Sequence, residues 1–292
     1  MRVVDGPGGT RTLEIAVRSF VQEEDPGLKL SFVGVTHIGT GRYYEQLQER
    51  LDAADLVLFE GVGGDMPEFR EADPEEVGDG IQPALARALG LEYQLFAIDY
   101  TRKHFVNSDM TPLEFFAILA GEDVRTLSEE GQKRLMETMA ALQGEGLGGQ
   151  MLRMMMAQVE ANPVYRGGLS WAMVEILGTL QGDITQMQGL PPDMQEMMEI
   201  LIRQRNDVVV RDVADVFARE TPPKHVMIFY GAAHMHDLEE RIVAAHGLKE
   251  VDTQWLPAFS GNLEASGIGR TQRRLFQWFV DQQLQTMRMM MR

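Results

Sequence analysis

Two histidines stand at the same offset behind a glycine, in Gly34-Val-Thr-His37 and Gly231-Ala-Ala-His234, and each comes after an apolar run. Phe32-Val-Gly-Val-Thr36 leads into His37, and Val226-Met-Ile-Phe-Tyr230 leads through Gly231 to His234. Two further runs end in acids, Leu56-Val-Leu-Phe59 at Glu60 and Leu95-Phe-Ala-Ile98 at Asp99. Short apolar runs bounded by polar residues read as buried strands of a parallel sheet. In such a sheet all carboxyl ends share one edge, and ligands bind in the crevice outside it. Two imidazoles and two carboxylates from distant parts of the chain would then meet in one cleft. That set suits Zn²⁺, Mn²⁺, Co²⁺ or Fe²⁺, and a His₂Glu zinc keeps a position for water whose pKa falls to about 7. The same residue types are also able to move protons directly. The residues leave open which carboxylate would ligate and which would act as base; Asp99 would ligate or orient a histidine. Gly34 and Gly231 would let backbone or ligand approach closely where each strand exits.

The elements that must position these residues can be traced along the chain. Thr12–Phe20 alternates apolar and polar residues and Leu30–Thr36 is an apolar run, so both are expected strands. Residues 41–54 carry Tyr44, Leu47, Leu51 and Ala54 at helical spacing, and 82–89 is a short helix stopped at Gly90. The Gly-, Asp-, Glu- and Pro-rich segment 61–80 reads as a loop. From about 111 to 220 the pattern is helical, with clustered methionines (Met151, Met154, Met155, Met156; Met187, Met194, Met197, Met198) that read as flexible core packing. His225–Tyr230 returns to strand, a helix spans 235–246, Val251–Leu256 closes as a strand, and 270–288 is amphipathic. The expected fold is α/β (α+β): one domain over 1–292, a central mostly parallel sheet flanked by helices, and a helical insertion at about 111–220.

Composition narrows the function. The chain has 292 residues, 44% hydrophobic and 24% charged, as in an ordinary globular protein. A net charge of −17 argues against nucleic acid, which draws on clustered basic side chains, and against anionic lipid. No apolar run is long enough for a transmembrane helix, and the first residues have no apolar core of a secretory signal, so a cytoplasmic location is expected. Zero cysteines exclude disulfides, thiolate zinc sites and cysteine nucleophiles. There is no Gly-x-Ser-x-Gly elbow, phosphate loop or His-Glu-x-x-His helix. His236 could chelate with His234 only on an extended segment, and His104 reads as part of a basic turn.

The paired Gly-x-x-His motifs, Glu60 within Val-Leu-Phe-Glu-Gly, and Arg205-Asn206 opening a helix together resemble the TraB/TIKI family, which takes in pheromone-shutdown and GumN-like proteins. The likeness covers about residues 30–258 and is closest from Thr36-His-Ile-Gly through Tyr43-Tyr44 and on to Glu60. It implies a sheet with surrounding helices, distantly similar to the erythromycin-esterase fold. It also implies a metal-dependent peptidase with His37, His234 and Glu60 at the metal. Arg205 and Asn206 match the family's late polar pair and would bind substrate or stabilise an oxyanion, with Tyr43 or Tyr44 as further substrate contacts.

The leading expectation is therefore a hydrolase using Mn, Co or Zn on a peptide or small-molecule substrate. The alternatives are a metal-free hydrolase of esterase type and a non-catalytic peptide-binding regulator, for which the methionine-rich segment could supply an adaptable surface. The amphipathic tail, with Leu275, Phe276, Phe279 and Leu284 on one face, is expected to pack on the body or on a second copy in a homodimer.

Overall fold

The structure is a computed structural model that describes residues 1–23, 27–61, 80–119, 133, 146–180, 195 and 197–290. Residues 62–79 of the loop expected at 61–80, and the methionines Met187 and Met194, lie outside the described residues. In chain order the elements are β1 (Arg2–Asp5), β2 (Arg11–Gln22), β3 (Lys29–Val35), β4 (Ile38–Gly39), α1 (Gly41–Asp52), β5 (Leu56–Phe59), α2 (Ile81–Leu89), β6 (Glu92–Tyr93), α3 (Gln94–Ala97), β7 (Phe105–Asn107), α4 (Pro112–Leu119), α5 (Gly146–Ala161), α6 (Pro163–Thr179), α7 (Arg205–Phe217), β8 (His225–Gly231), α8 (Met235–His246), β9 (Leu248–Gly261) and α9 (Arg270–Met290).

One sheet organises the fold, and its two halves reflect their sequences. Strands β3, β8, β5 and β7 are parallel neighbours in that order. β3, β8 and β5 are mostly apolar and buried at every position past the first of β3 and β8, because helices cover both faces. β2 is antiparallel to β1, β3 and β9. On its first half Leu13, Ile15 and Val17 alternate with more exposed residues, as a strand with one strongly buried face should. On one side of the sheet Val33, Val35, Val57, Phe59, Met227 and Phe229 pack with Tyr44, Leu47 and Leu51 of α1 and Val174 of α6. On the other, Leu30, Phe32, Leu58, Val226, Ile228 and Tyr230 meet Val209 and Val213 of α7 and Leu238 and Ile242 of α8. Thr40 caps α1 by accepting from the Tyr43 N–H, while Gly90 and Gly247 close α2 and α8 at φ 69° and 58°, a conformation glycine adopts without strain.

One expected strand is a helix. Leu95–Ile98 lies in and just after the single turn α3, whose first N–H, on Gln94, donates to the His37 carbonyl. A four-residue apolar run cannot be told from a buried helical turn by periodicity. The strand that completes the parallel set is β7, paired in register with β5 at Val57–Phe105 and Phe59–Asn107. No helix among the described residues is long and apolar enough to cross a membrane.

Candidate active site

At the carboxyl edge of the parallel strands β8 lies between β3 and β5, so the edge carries His37, His234, Glu60 and then the residues after β7, in that order. The two Gly-x-x-His motifs touch. The Ala232 N–H donates to the Val35 carbonyl at 2.8 Å, and a Cβ on Gly34 would stand 3.6 Å from the Ala232 Cα. Gly231 has a more direct task. Its N–H donates to Glu60 Oε2 at 2.7 Å, and a Cβ there would stand 3.1 Å from that oxygen, tighter than most real contacts.

Arg205 binds the edge together. Its Nη2 donates to Glu60 Oε1 at 2.5 Å and to Asp109 Oδ2 at 2.7 Å, and its Nε to Asp109 Oδ1 at 3.1 Å. Nη1 has longer contacts, 3.3 Å to the Leu201 carbonyl and 3.4 Å to His234 Nε2. Asp109 is fully buried and also accepts from the Gly61 and Met110 N–H groups, so each of its oxygens has a charged and a neutral donor. A π-helical turn at Glu199–Gln204 runs directly into α7 and delivers Arg205 and Asn206 as its first two residues, both buried. Such widened turns concentrate at functional sites.

His234 is 4% exposed, at the start of α8. Its Nδ1 lies 2.7 Å from Asn206 Oδ1, and the Asn206 Nδ2 donates to Asp237 Oδ2 at 2.8 Å. A carboxylate only accepts, which fixes the amide with its oxygen toward His234 and requires the imidazole proton on Nδ1. Nε2 is left as an unprotonated acceptor, facing Arg205 Nη1 and 3.7 Å from Glu60 Oε1. Burial, joined by repulsion from Arg205 and His37, outweighs the pull of Glu60 and Asp109 and pushes His234 down to about 4. Burial would raise the Glu60 carboxyl, but His234 when charged, Arg205, His37 and the Gly231 N–H overcome it and hold it at about 2. Arg205 is raised despite its burial, by Glu60 and Asp109.

His37 differs. It is exposed at the rim, its Nδ1 3.1 Å from Oε1 of the buried Gln94, whose Nε2 donates to the Tyr100 hydroxyl. It influences Glu60 and His234 through its charge. Asp99 is not part of the cluster. Its carboxylate turns back to accept from the N–H and hydroxyl of Thr101 and sits 3.6 Å from Arg102. Tyr43 and Tyr44 are sealed in the core at 1% exposure, the Tyr44 hydroxyl donating to the Thr36 carbonyl, so neither ring reaches a substrate. His236 is half-exposed, two positions along α8 from the His234 cap, and the His104 Nε2 meets the Leu51 carbonyl.

The residues do not fit the expected metal. Among the described residues no group of three or more His, Asp or Glu is arranged to hold an ion. The guanidinium of Arg205 lies between Glu60 and His234, where a shared ion would sit, and the second Glu60 oxygen is taken by the Gly231 N–H. A cation is present there already, supplied by the chain.

Asp109, Asp237 and Gln94 carry no signal in the sequence that marks them as site residues. Asp109 stands two residues beyond β7, and Asp237 comes just after the second histidine motif, within Met235-His-Asp237. No protein-family model matches the chain, and neither does a curated protein or a solved structure.

Proposed function

We propose that the chain is a hydrolase of carbonyl substrates, an ester or a peptide bond, that works by acid–base catalysis without a metal. The observation that carries this is the Asp237–Asn206–His234 relay, which leaves a buried, neutral imidazole with its Nε2 lone pair beside a fixed guanidinium. Nε2 takes a proton from water as the water oxygen bonds to the substrate carbonyl carbon. The carbonyl oxygen becomes an oxyanion and competes for Arg205 Nη1, whose present contacts are its longest and weakest. The imidazolium formed is balanced by Glu60 Oε1 at 3.7 Å. It then returns the proton to the leaving oxygen or nitrogen as the carbon–leaving group bond breaks. Asp109 holds Arg205 in place by two bonds.

The resemblance of the paired motifs to the TraB/TIKI proteins supports hydrolysis as the reaction class. The test uses chain purified and assayed with excess chelator against nitrophenyl esters and a fluorogenic peptide library. Turnover that persists under chelation and falls about 10²- to 10⁴-fold in His234→Gln, the usual contribution of a general base, is the expected result. Activity that appears only with added Mn²⁺, Co²⁺ or Zn²⁺ overturns the metal-free reading. Peptide binding without any cleavage overturns the enzyme reading.

A further inference from the structure

A second concave site lies between β2, β9 and the first turn of α8. It is a cavity of about 420 Å³, a size that suits a small organic molecule. Neither Glu60, Asp109, Arg205 nor His234 lines it, so it is separate from the cluster at the sheet edge. Ile15, Leu180, Met235 and Trp255 form its apolar walls, and Arg18 and Glu239 its charged side. Gly34 keeps it open, since a Cβ there would meet Ile15 and Met235 at 3.3 and 3.4 Å. His236 also lines it, and its Nδ1 stands 3.9 Å from Glu240.

Charge selects the occupant. Arg18 donates through Nη1 to Glu239 Oε2 and through Nη2 to Glu250 Oε2, so one guanidinium serves two carboxylates. Glu250 has a further donor in the Thr253 hydroxyl. Glu239 does not: its side chain is 16% exposed, and among the described residues Oε1 accepts no hydrogen bond. Burial, joined by the charge of Glu250, pushes the Glu239 carboxyl up to about 7 against the pull of Arg18 and the Met1 amine. That amine is itself pushed down by burial and makes no ion pair with Glu239 among the described residues. The carboxylate is thus under-compensated where it stands, and a cation at Oε1 would complete it. An anion fits badly, because both terminal nitrogens of Arg18 are committed and two carboxylates would repel it. The net charge of −17 favours a cation's approach as well.

We propose that this cavity binds a small organic amine, its ammonium on Glu239 Oε1 and its apolar body against Ile15, Leu180, Met235 and Trp255. This inference is independent of the hydrolase reading. The experiment is isothermal titration calorimetry of the full chain with three probes of one shape: 2-phenylethylamine, the neutral 2-phenylethanol and the anion 3-phenylpropionate. Glu239→Gln and Ala16→Leu are titrated alongside, with circular dichroism as a check on folding. The amine is expected to bind about 10-fold or more tighter than the alcohol, the difference one charge-assisted hydrogen bond makes, and the anion weakest. Glu239→Gln should erase the preference for the amine. Ala16→Leu leaves the carboxylate in place but fills the cavity that Ala16 lines, and should abolish binding; it carries the test if Glu239→Gln unfolds. No binding of the amine at millimolar concentration overturns the proposal, as does equal affinity for amine and alcohol or tighter binding of the anion. Amine binding indifferent to both variants also overturns it, because the amine then sits elsewhere.

Discussion

His234 and His37 stand at the same offset from a strand-end glycine, yet the first is buried beneath Arg205 and Asn206 and the second lies on the exposed rim against Gln94. The next element after each strand makes the difference. After β8 the chain turns straight into α8, so His234 sits at a helix start roofed by the first residues of α7. After β3 it continues into β4, which pairs with β6 at the margin of the fold. Equal motifs thus have unequal environments, and under the proposed mechanism burial rather than motif selects the imidazole that acts as base. Both are held through Nδ1 by a side-chain amide, but only at His234 does a carboxylate fix the amide's orientation, and only His234 also lies against a cation and a carboxylate.

Breaking the buried side of this comparison should have the largest effect. Arg205→Met leaves Glu60 and Asp109 as buried carboxylates with no cation, and is expected to cost about 3–5 kcal/mol in chemical denaturation. The pH response should sharpen the contrast next. With a folded pKa of about 4 against 6.5, His234 binds fewer protons native than unfolded, so its contribution is complete above pH 6.5 and lost as the pH falls to about 4. Glu60, at about 2 against 4.5, is complete above pH 4.5 and lost toward about 2. Each amounts to about 3 kcal/mol. Denaturation at stepped pH should therefore show two successive acid windows, and His234→Asn should flatten the upper one and narrow the lower one, because charged His234 is the largest pull on Glu60.

The glycines give a smaller effect that separates the motifs by kind. Gly231→Ala pushes a methyl toward Glu60 Oε2, while Gly34→Ala presses on Ile15 and Met235. Both are expected to cost about 1–3 kcal/mol of overpacking. Only Gly231→Ala should also lower turnover, because it alone displaces a site carboxylate. The smallest change is His37→Ala, expected to stay within about 0.5 kcal/mol of the parent in stability as an exposed substitution. If His37→Ala unfolds the chain, the two histidines are not opposites in burial and role.

Much of the frame was legible in the sequence because it rests on local signals. Helices α1, α2 and α8 arise from apolar spacing with Gly90 and Gly247 as stops, and β3, β5 and β8 from short apolar runs of the kind a sheet covered on both faces buries. Parallel topology alone implied the convergence of His234 and Glu60. The site's third carboxylate had no such signal. Phe105–Asn107 is too short and too exposed to stand out as a strand, and Leu95–Ile98, a better apolar run, points to Asp99 instead of Asp109. Only the family resemblance marks Arg205 and Asn206, since nothing in local spacing shows that a helix start beyond residue 200 reaches the edge of β5 and β8. For the same reason a metal was expected. Composition reveals histidines and carboxylates, but only the folded arrangement shows an arginine between them.

The central claim is the protonation state of one ring, and imidazole nitrogen NMR of selectively labelled histidine in the full chain measures it without a substrate. His234 is predicted to be neutral across pH 5 to 8, protonated on Nδ1 with Nε2 bare, and to titrate near 4. A ring protonated on Nε2, or an imidazolium persisting above pH 6, would contradict that claim.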